Sequence, residues 1–151
     1  QKPNIALAIM TADCLPILLS DKCGTEIAAI HGGWRCLADG IIENTIKLFS
    51  VSRKDIQAWF GPCIGKDAFE VGQEVVDRFV CSNGDFLSAF TVQPNGKFLA
   101  NLREIASIQL KALDVNNLAS LEHCTYFDAK TYYSYRREAT TGRMATIICK
   151  T

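Results

Sequence analysis

Two side chains in the first third of the chain, Cys14 and His31, are the strongest candidates for chemistry. The chain has only two histidines, and the imidazole is the side chain that titrates near neutral pH, so its position is informative about general-base or metal-binding roles. His31 ends an apolar run and is followed by Gly32 and Gly33, a place where side chains emerge at a sheet edge and ligands commonly bind. The alternative is a purely structural histidine.

Cys14 lies in a short polar break between two apolar runs, preceded by Asp13 and followed closely by Pro16. If the strand before this break and the strand that ends at His31 are neighbours in one sheet, the thiol and the imidazole meet at one rim. Such a pair can act as a thiolate and imidazolium, or can share a metal ion. The alternative is that Cys14 packs as a small apolar side chain.

Four arginines could hold a phosphate or a substrate carboxylate, because guanidinium groups offer paired hydrogen bonds to such anions. They are Arg35, Arg136, Arg137 and Arg143. Arg35 is the best placed, since it follows His31 closely at the start of a predicted helix. For the other three an ordinary surface role is an open alternative. Trp34 could stack on a base or pack in the core.

Apolar runs and turn residues predict the elements that would position these side chains. Strands are predicted at 5–10, 15–19, 26–31, 56–60, 86–92, 118–124, 132–136 and 144–149. Helical spacing predicts helices over 37–48, 75–79 and 101–113, the last capped by Asn101 with Glu104. Because helices must cover the open faces of such strands, we expect one α/β or α+β domain over residues 1–151.

The composition of the chain limits the kinds of binding partner and the cellular environment that we expect for it. Lys and Arg total 16 and Asp and Glu total 16, so the formal net charge is zero and gives no field that would attract nucleic acid or an anionic membrane. The apolar runs are too short to cross a bilayer. The seven cysteines lack paired spacing, which favours free thiols in a reduced, cytoplasmic setting. Composition does not indicate an oligomeric state.

Four separated motifs carry a family resemblance that runs from Thr11 to about Ile148. They are Thr11-Ala12-Asp13-Cys14-Leu15-Pro16, His31-Gly32-Gly33-Trp34-Arg35, Gly61-Pro62-Cys63-Ile64-Gly65 with Phe69-Glu70-Val71-Gly72, and Ser134-Tyr135-Arg136-Arg137 with Thr141-Gly142-Arg143. Together they resemble the YfiH family, which is labelled as laccase-like multicopper polyphenol oxidases and is linked to purine nucleosides.

The resemblance implies a layered α/β/β/α fold similar to the catalytic domain of cytotoxic necrotizing factors, and a metal site. In the family, one cysteine and two histidines bind zinc, and copper has also been proposed. Cys14 matches the cysteine and His31 the second histidine. The first histidine belongs to a Val-His-Gly segment that this sequence lacks, so we expect the chain to be missing an amino-terminal segment. His123 matches no family ligand, and Cys36 stands where the family usually has glycine.

The activity that the resemblance implies is that of a purine nucleoside phosphorylase with a mononuclear zinc site at Cys14 and His31. Its substrates would be a purine nucleoside and phosphate, held by Arg35, Arg136 and Arg143, with adenosine deamination as a side activity. Two alternatives stay open: an amide hydrolase with Cys14 as nucleophile and His31 as base, and a non-enzymatic metal-binding domain. Four-copper oxidase chemistry is excluded for this chain by itself, because two histidines cannot supply its copper ligands.

Overall fold

The structure, a computed structural model, describes residues 4–150 and has an α/β fold. The strands in this part of the chain are β1 (Ala6–Thr11), β2 (Leu15–Asp21), β3 (Ile27–Gly32), β4 (Ile56–Phe60), β5 (Glu70–Val71), β6 (Phe90–Val92), β7 (Phe98–Ala100), β8 (Asn117–Ser120) and β9 (Met144–Cys149). The helices are α1 (Trp34–Ala38), α2 (Ile41–Ile46), α3 (Gln73–Val80) and α4 (Leu102–Ala112). None of the helices in this part is long and apolar enough to cross a membrane.

A four-stranded mixed sheet in the order β3-β2-β4-β8 forms the centre of the molecule. β2 is antiparallel to β3 and to β4, and β4 is parallel to β8. Side chains alternate between the two faces of a strand, so Leu15, Ile17 and Leu19 share one face of β2 and all are fully buried. They belong to the main core, which also takes residues from all four helices.

Two smaller sheets complete the fold: a three-stranded sheet in the order β5-β7-β6 and a ribbon of β1 and β9. The sequence predicted that Cys14 and His31 meet if the first strand lies next to the strand that ends at His31. Among the described residues, β1 forms no hydrogen-bonded pair with β3. It pairs with β9 instead, while β2 pairs with β3. The reason is local, because the tight turn after Asp21 folds β2 and β3 into a hairpin.

The predicted helix over 37–48 is divided, and the strand predicted at 132–136 is wrong. Gly40 adopts φ of 80°, a left-handed conformation that ends α1 and lets α2 begin in a new direction. Residues 132–136 form irregular structure, since Ser134 and Arg136 give their hydrogen bonds to a distant carboxylate instead of a strand partner. The region 86–92 begins as a 3-10 turn and becomes β6 only at Phe90.

The other predicted elements are confirmed within a few residues. The α4 helix begins as the sequence indicates, because the Asn101 side chain accepts a hydrogen bond from the backbone N–H of Glu104. The strand predicted at 118–124 is shorter, since β8 ends at Ser120 and Cys124 makes only an isolated bridge with Cys63.

Candidate functional site

The hairpin of β2 and β3 brings Cys14 and His31 to the same place. Pro16 lies opposite His31 and Leu15 opposite Gly32, so the residues flanking this register, Cys14 and Gly33, meet at the end of the hairpin. A β-carbon added to Gly33 would lie 3.2 Å from Cys14 Sγ and 3.6 Å from His31 Nε2. The thiol and the imidazole therefore face one common point, and both side chains are half-buried.

Asp13 holds the turn that presents Cys14. Its backbone has φ of 93°, a left-handed conformation that is costly for a residue other than glycine and persists only where the surroundings fix it. Asp13 is 9% exposed, and three hydrogen bonds to its carboxylate fix this conformation. Thr125 Oγ1 donates to Oδ1 at 2.6 Å, while Ser134 Oγ and the Arg136 backbone N–H donate to Oδ2 at 3.0 and 2.7 Å.

The same turn is tied to the loop over 61–65. The Ile64 N–H donates to the Asp13 carbonyl at 2.9 Å, and the Thr125 N–H donates to the Cys63 carbonyl at 3.0 Å. Two segments far from Asp13 in the sequence, 61–65 and 125–136, thus converge on it. Sequence reasoning treated this aspartate only as a neighbour of Cys14. The signal that could have found it is an acidic residue between a buried strand and a predicted reactive thiol.

Electrostatics around Cys14 favour the neutral thiol. Burial is the largest influence raising the pKa of Cys14, and the carboxylate of Asp13 and the thiol of Cys36 raise it further. The charge of Arg143 acts in the opposite direction. Cys36 and Arg143 are therefore both close enough to affect this thiol. At neutral pH the net effect is a protonated, weakly nucleophilic sulfur.

Cys63 lies beneath the site as an inert packing residue. Its side chain is fully buried, and burial raises the pKa of Cys63 to about 12. The neighbouring Cys124 sulfur accepts a hydrogen bond from the Gly65 N–H at 3.1 Å. All seven cysteines of the chain are free thiols.

The four candidate arginines differ in how many hydrogen bonds their guanidinium groups already donate to other parts of the protein. Arg35 is exposed, stacks over the Trp34 ring at 4.3 Å, and has no hydrogen-bond acceptor among the described residues. Arg137 is committed to the fold, since it donates to the carbonyls of Thr125, Tyr126 and Tyr132. Arg35 is therefore free to bind an anion and Arg137 is not.

Arg136 and Arg143 are intermediate cases. Arg136 donates to the Glu70 carbonyl at 2.8 Å and lies 5.3 Å from the centre of the Phe69 ring. Arg143 donates through one nitrogen to the carbonyls of Thr141 and Gly142. Arg143 immediately precedes β9, and its charge lowers the pKa of Cys14, against the effect of burial.

A cavity of about 580 Å³ lies in the loop that precedes Arg143. Its lining includes Tyr132, Tyr133 and Gly142, and the Tyr133 ring lies directly against Gly142. This volume is within the range of small-molecule sites in proteins. His123 is outside it and has a structural contact, because its Nδ1 hydrogen-bonds the Tyr132 hydroxyl at 2.7 Å.

The donor set at Gly33 fits two ligands of a zinc site. A thiol sulfur and an imidazole nitrogen are the donors zinc prefers, and both face the same point. Catalytic zinc, however, usually takes three protein ligands. Within residues 4–150 no three His, Cys, Asp or Glu side chains come together in a way that could hold a metal ion.

Comparison with known proteins matches the whole of residues 1–151 to the family described as multi-copper polyphenol oxidoreductase laccase. A Haemophilus influenzae protein named purine nucleoside phosphorylase is 45% identical over 150 residues, which cover 97% of this chain and 61% of that protein. An Escherichia coli protein named purine nucleoside phosphorylase YfiH is 43% identical over 146 residues, which cover 97% of this chain and 60% of that protein. The chain thus spans about three fifths of the length of these relatives.

The solved structures agree with the sequence comparison. A crystal structure of a Neisseria meningitidis protein superposes with a TM-score of 0.93 at 45% identity, covering 97% of this chain and 61% of that one. The motif set, the sequence matches and the shared fold lead to one conclusion: the chain belongs to the YfiH-type family, described as multi-copper polyphenol oxidoreductase laccase.

Proposed function

We propose that this chain carries the catalytic site of a purine nucleoside phosphorylase, centred on Cys14 and His31. The observation that carries the proposal is the common point faced by Cys14 Sγ and His31 Nε2. The names of relatives that are 43 to 45% identical to this chain support the same activity. Because this chain covers only 60 to 61% of those relatives, the activity of the whole protein is itself a proposal.

Arg35 is the proposed anchor for phosphate. Arg35 is the second residue of α1, which begins directly after Gly33. Its guanidinium is exposed and has no hydrogen-bond acceptor among the described residues. The Trp34 ring beneath it limits the directions in which the guanidinium can point. A guanidinium fixed in this way can give two parallel hydrogen bonds to a phosphate. Arg143 and Arg136 supply further positive charge around the same substrate.

The nucleoside is proposed to lie toward the loop before Arg143. The cavity there has the volume of a small-molecule site, and the exposed ring of Tyr133 offers a surface on which a purine can stack. Because Gly142 lies against this ring and precedes Arg143, the base would lie close to one of the arginines proposed to add positive charge around the phosphate.

In phosphorolysis, an oxygen of phosphate forms a bond to C1′ of the ribose as the bond from C1′ to the purine nitrogen breaks. The bonding electron pair leaves with the purine, which takes up one proton, and ribose 1-phosphate is the second product. The contribution of this chain is to hold phosphate and nucleoside in line, which removes much of the entropic cost of bringing two reactants together. Arg35 and Arg143 also offset the negative charge of the phosphate.

Zinc is the proposed metal, with Cys14 and His31 as two of its ligands and copper as the less favoured occupant. A zinc ion would supply a Lewis acid able to activate water, which is the chemistry that adenosine deamination, the proposed side activity, requires. The described residues supply these two ligands and no third, so we propose that the rest of the complete protein supplies it.

The amide hydrolase alternative is less well supported. It needs Cys14 as a thiolate, whereas burial and the Asp13 carboxylate raise the pKa of Cys14 and favour the neutral thiol. A non-enzymatic metal-binding role is also less well supported, because relatives that are 43 to 45% identical are named as phosphorylases. Seven free thiols support the proposed location in a reduced cytoplasm.

The test is phosphate-dependent release of free base from inosine or adenosine by the complete gene product, with bound zinc measured per chain. We expect R35A to raise the KM for phosphate by about tenfold or more, because a hydrogen-bonded charge pair is lost. C14S should lose both zinc and activity. Arg53, an exposed arginine in the 3-10 turn before β4, provides the matched control R53A, which should behave like the parent. A zinc-loaded protein that releases no base contradicts the proposal.

A further inference from the structure

A second cavity, of about 300 Å³, lies at the carboxyl ends of the parallel strands β4 and β8. Phe60 and Ser120, the last residues of these two strands, both line it. The carboxyl ends of parallel strands are where α/β folds commonly bind ligands. Among the described residues, its lining includes neither Cys14 nor His31 and none of the four candidate arginines. The cavity is therefore not the proposed site of phosphorolysis.

Charged side chains of both signs line this cavity, and they come from three separate segments of the chain. Lys66 and Asp67 belong to the loop after β4, Arg103 and Glu104 to the first turn of α4, and Glu122 to the loop after β8. In the part of the chain that the structure describes, none of the five forms an ion pair. The cavity therefore offers unpaired charges of both signs, with one negative charge in excess.

The guanidinium of Arg103 is held in place but keeps unused hydrogen-bond donors. Its Nη2 donates to the carbonyls of Leu121 and His123 at 3.0 and 2.8 Å, which fixes the side chain against the loop after β8. Its Nε is buried and has no acceptor among residues 4–150. A buried N–H without an acceptor is unfavourable and calls for an explanation. A carboxylate bound to this guanidinium would supply an acceptor.

The amino-terminal end of α4 adds positive potential at the same place. Asn101 and Glu104, whose side chain and backbone N–H form the cap of this eleven-residue helix, both line the cavity. The amino-terminal end of a helix stabilises a nearby carboxylate. Lys66 contributes an exposed ammonium group from the loop after β4. Together with Arg103, these groups suit the carboxylate of a ligand.

We infer that this cavity binds a free α-amino acid with a cationic side chain. Such a molecule carries one carboxylate and two cationic groups at neutral pH, which complements the charges of the cavity. Its carboxylate would bind Arg103 and Lys66, and its two cationic groups would face Asp67, Glu104 and Glu122. A doubly negative ligand such as a sugar phosphate would be repelled by these three carboxylates. The inference does not depend on the proposed phosphorylase activity.

Isothermal titration calorimetry of the complete gene product with L-lysine tests this site. We expect saturable one-to-one binding. L-lysinamide, which lacks the carboxylate, should bind at least about tenfold more weakly, because a charge-assisted hydrogen bond is lost. L-glutamate, whose side chain has the opposite charge, should show no measurable binding. K66A and E122Q should each weaken the binding of L-lysine about threefold, as expected for partly exposed ion pairs.

Lys54, an exposed lysine in the 3-10 turn before β4, provides the matched control. K54A removes the same charge outside the cavity and should bind L-lysine like the parent. Lys66 and Glu122 are both exposed, so their substitution should not unfold the chain, and circular dichroism checks this. Absence of L-lysine binding overturns the inference, as does equal binding by K66A, E122Q and K54A. Tighter binding of ribose 5-phosphate than of L-lysine would assign the cavity to a phosphorylated ligand and would also overturn it. Each measurement is of binding alone, so none of these outcomes depends on nucleoside cleavage.

Discussion

A buried aspartate lies near each end of β2. One accepts hydrogen bonds from neighbouring residues only, and the other accepts them from residues far away in the sequence. Asp21, at the end of the strand, is 2% exposed and accepts hydrogen bonds from the backbone N–H groups of Glu26 and Cys23 at 2.6 and 3.0 Å. Asp13, before the start of the strand, accepts from Thr125, Ser134 and Arg136, more than a hundred residues away. Asp21 closes a local turn, whereas Asp13 joins distant parts of the chain at the candidate site.

This difference indicates where stability and site geometry are coupled. The Asp21 turn can form as soon as its own hairpin forms, because all its partners lie within five residues. The Asp13 network forms only when the loop over 121–138 has docked, and the residue next to it is Cys14. Damage at Asp21 should therefore remain local, whereas damage at Asp13 should affect folding and the thiol together.

The largest effect is expected from D13A. It removes the acceptor of three hydrogen bonds, including those donated by the buried hydroxyls of Thr125 and Ser134, so we expect the free energy of unfolding to decrease by about 3 kcal/mol. Denaturant unfolding measures this value. The control D13N keeps one amide oxygen as an acceptor and tolerates positive φ, and should lose less. Equal stability of D13A and the parent would contradict the network.

A smaller effect is expected from D21N, and it should depend on pH. Hydrogen bonds from Glu26 and Cys23 hold the pKa of Asp21 below its ordinary value of 3.8. The ionised carboxylate therefore stabilises the fold above that value, and this contribution is lost as the pH falls through the folded pKa. The melting temperature of D21N should be below that of the parent at neutral pH and should converge with it in acid. A difference that persists in acid would contradict this account.

The smallest effect concerns the rate at which Cys14 is alkylated. Because burial and Asp13 raise its pKa, Cys14 should react with iodoacetamide more slowly at neutral pH than the exposed Cys23 and Cys149, and faster as the pH increases. Peptide mass spectrometry follows each site. D13N removes the negative charge next to the thiol and should accelerate its labelling a few-fold, whereas D21N should not. If Cys14 labels faster than the exposed thiols, the thiolate required by the hydrolase alternative is present.

The comparison of the two aspartates also separates what the sequence could predict from what it could not. The turn after β2 and the strands on either side of it were predictable, because their determinants are close in sequence. The strand predicted at 132–136 was wrong, because the bonds of Ser134 and Arg136 to Asp13 depend on tertiary contacts. The break in the helix at Gly40 had a visible signal in the glycine itself.

In the candidate site, too, features set by local sequence could be predicted, and features that depend on tertiary contacts could not. Residue types and spacing were enough to select Cys14 and His31, and the hairpin of β2 and β3 brings them together, although the strand pairing first considered was different. The number of hydrogen bonds that each guanidinium donates within the protein could not be predicted from the sequence. The sequence favoured Arg35 by its place after His31, but it did not show that Arg137 donates to the backbone carbonyls of Thr125, Tyr126 and Tyr132.

Gly33 lies against both Cys14 and His31, so its lack of a side chain bears directly on the candidate site. The backbone of Gly33, with φ of -69° and ψ of 151°, suits any amino acid, so conformation alone would permit substitution. A methyl group there would instead meet the sulfur, because an added β-carbon would lie 3.2 Å from Cys14 Sγ, which would have to move by a few tenths of an ångström, whereas the His31 ring at 3.5 Å would be in ordinary contact. A Gly33→Ala replacement would therefore act through the thiol and not through the main chain.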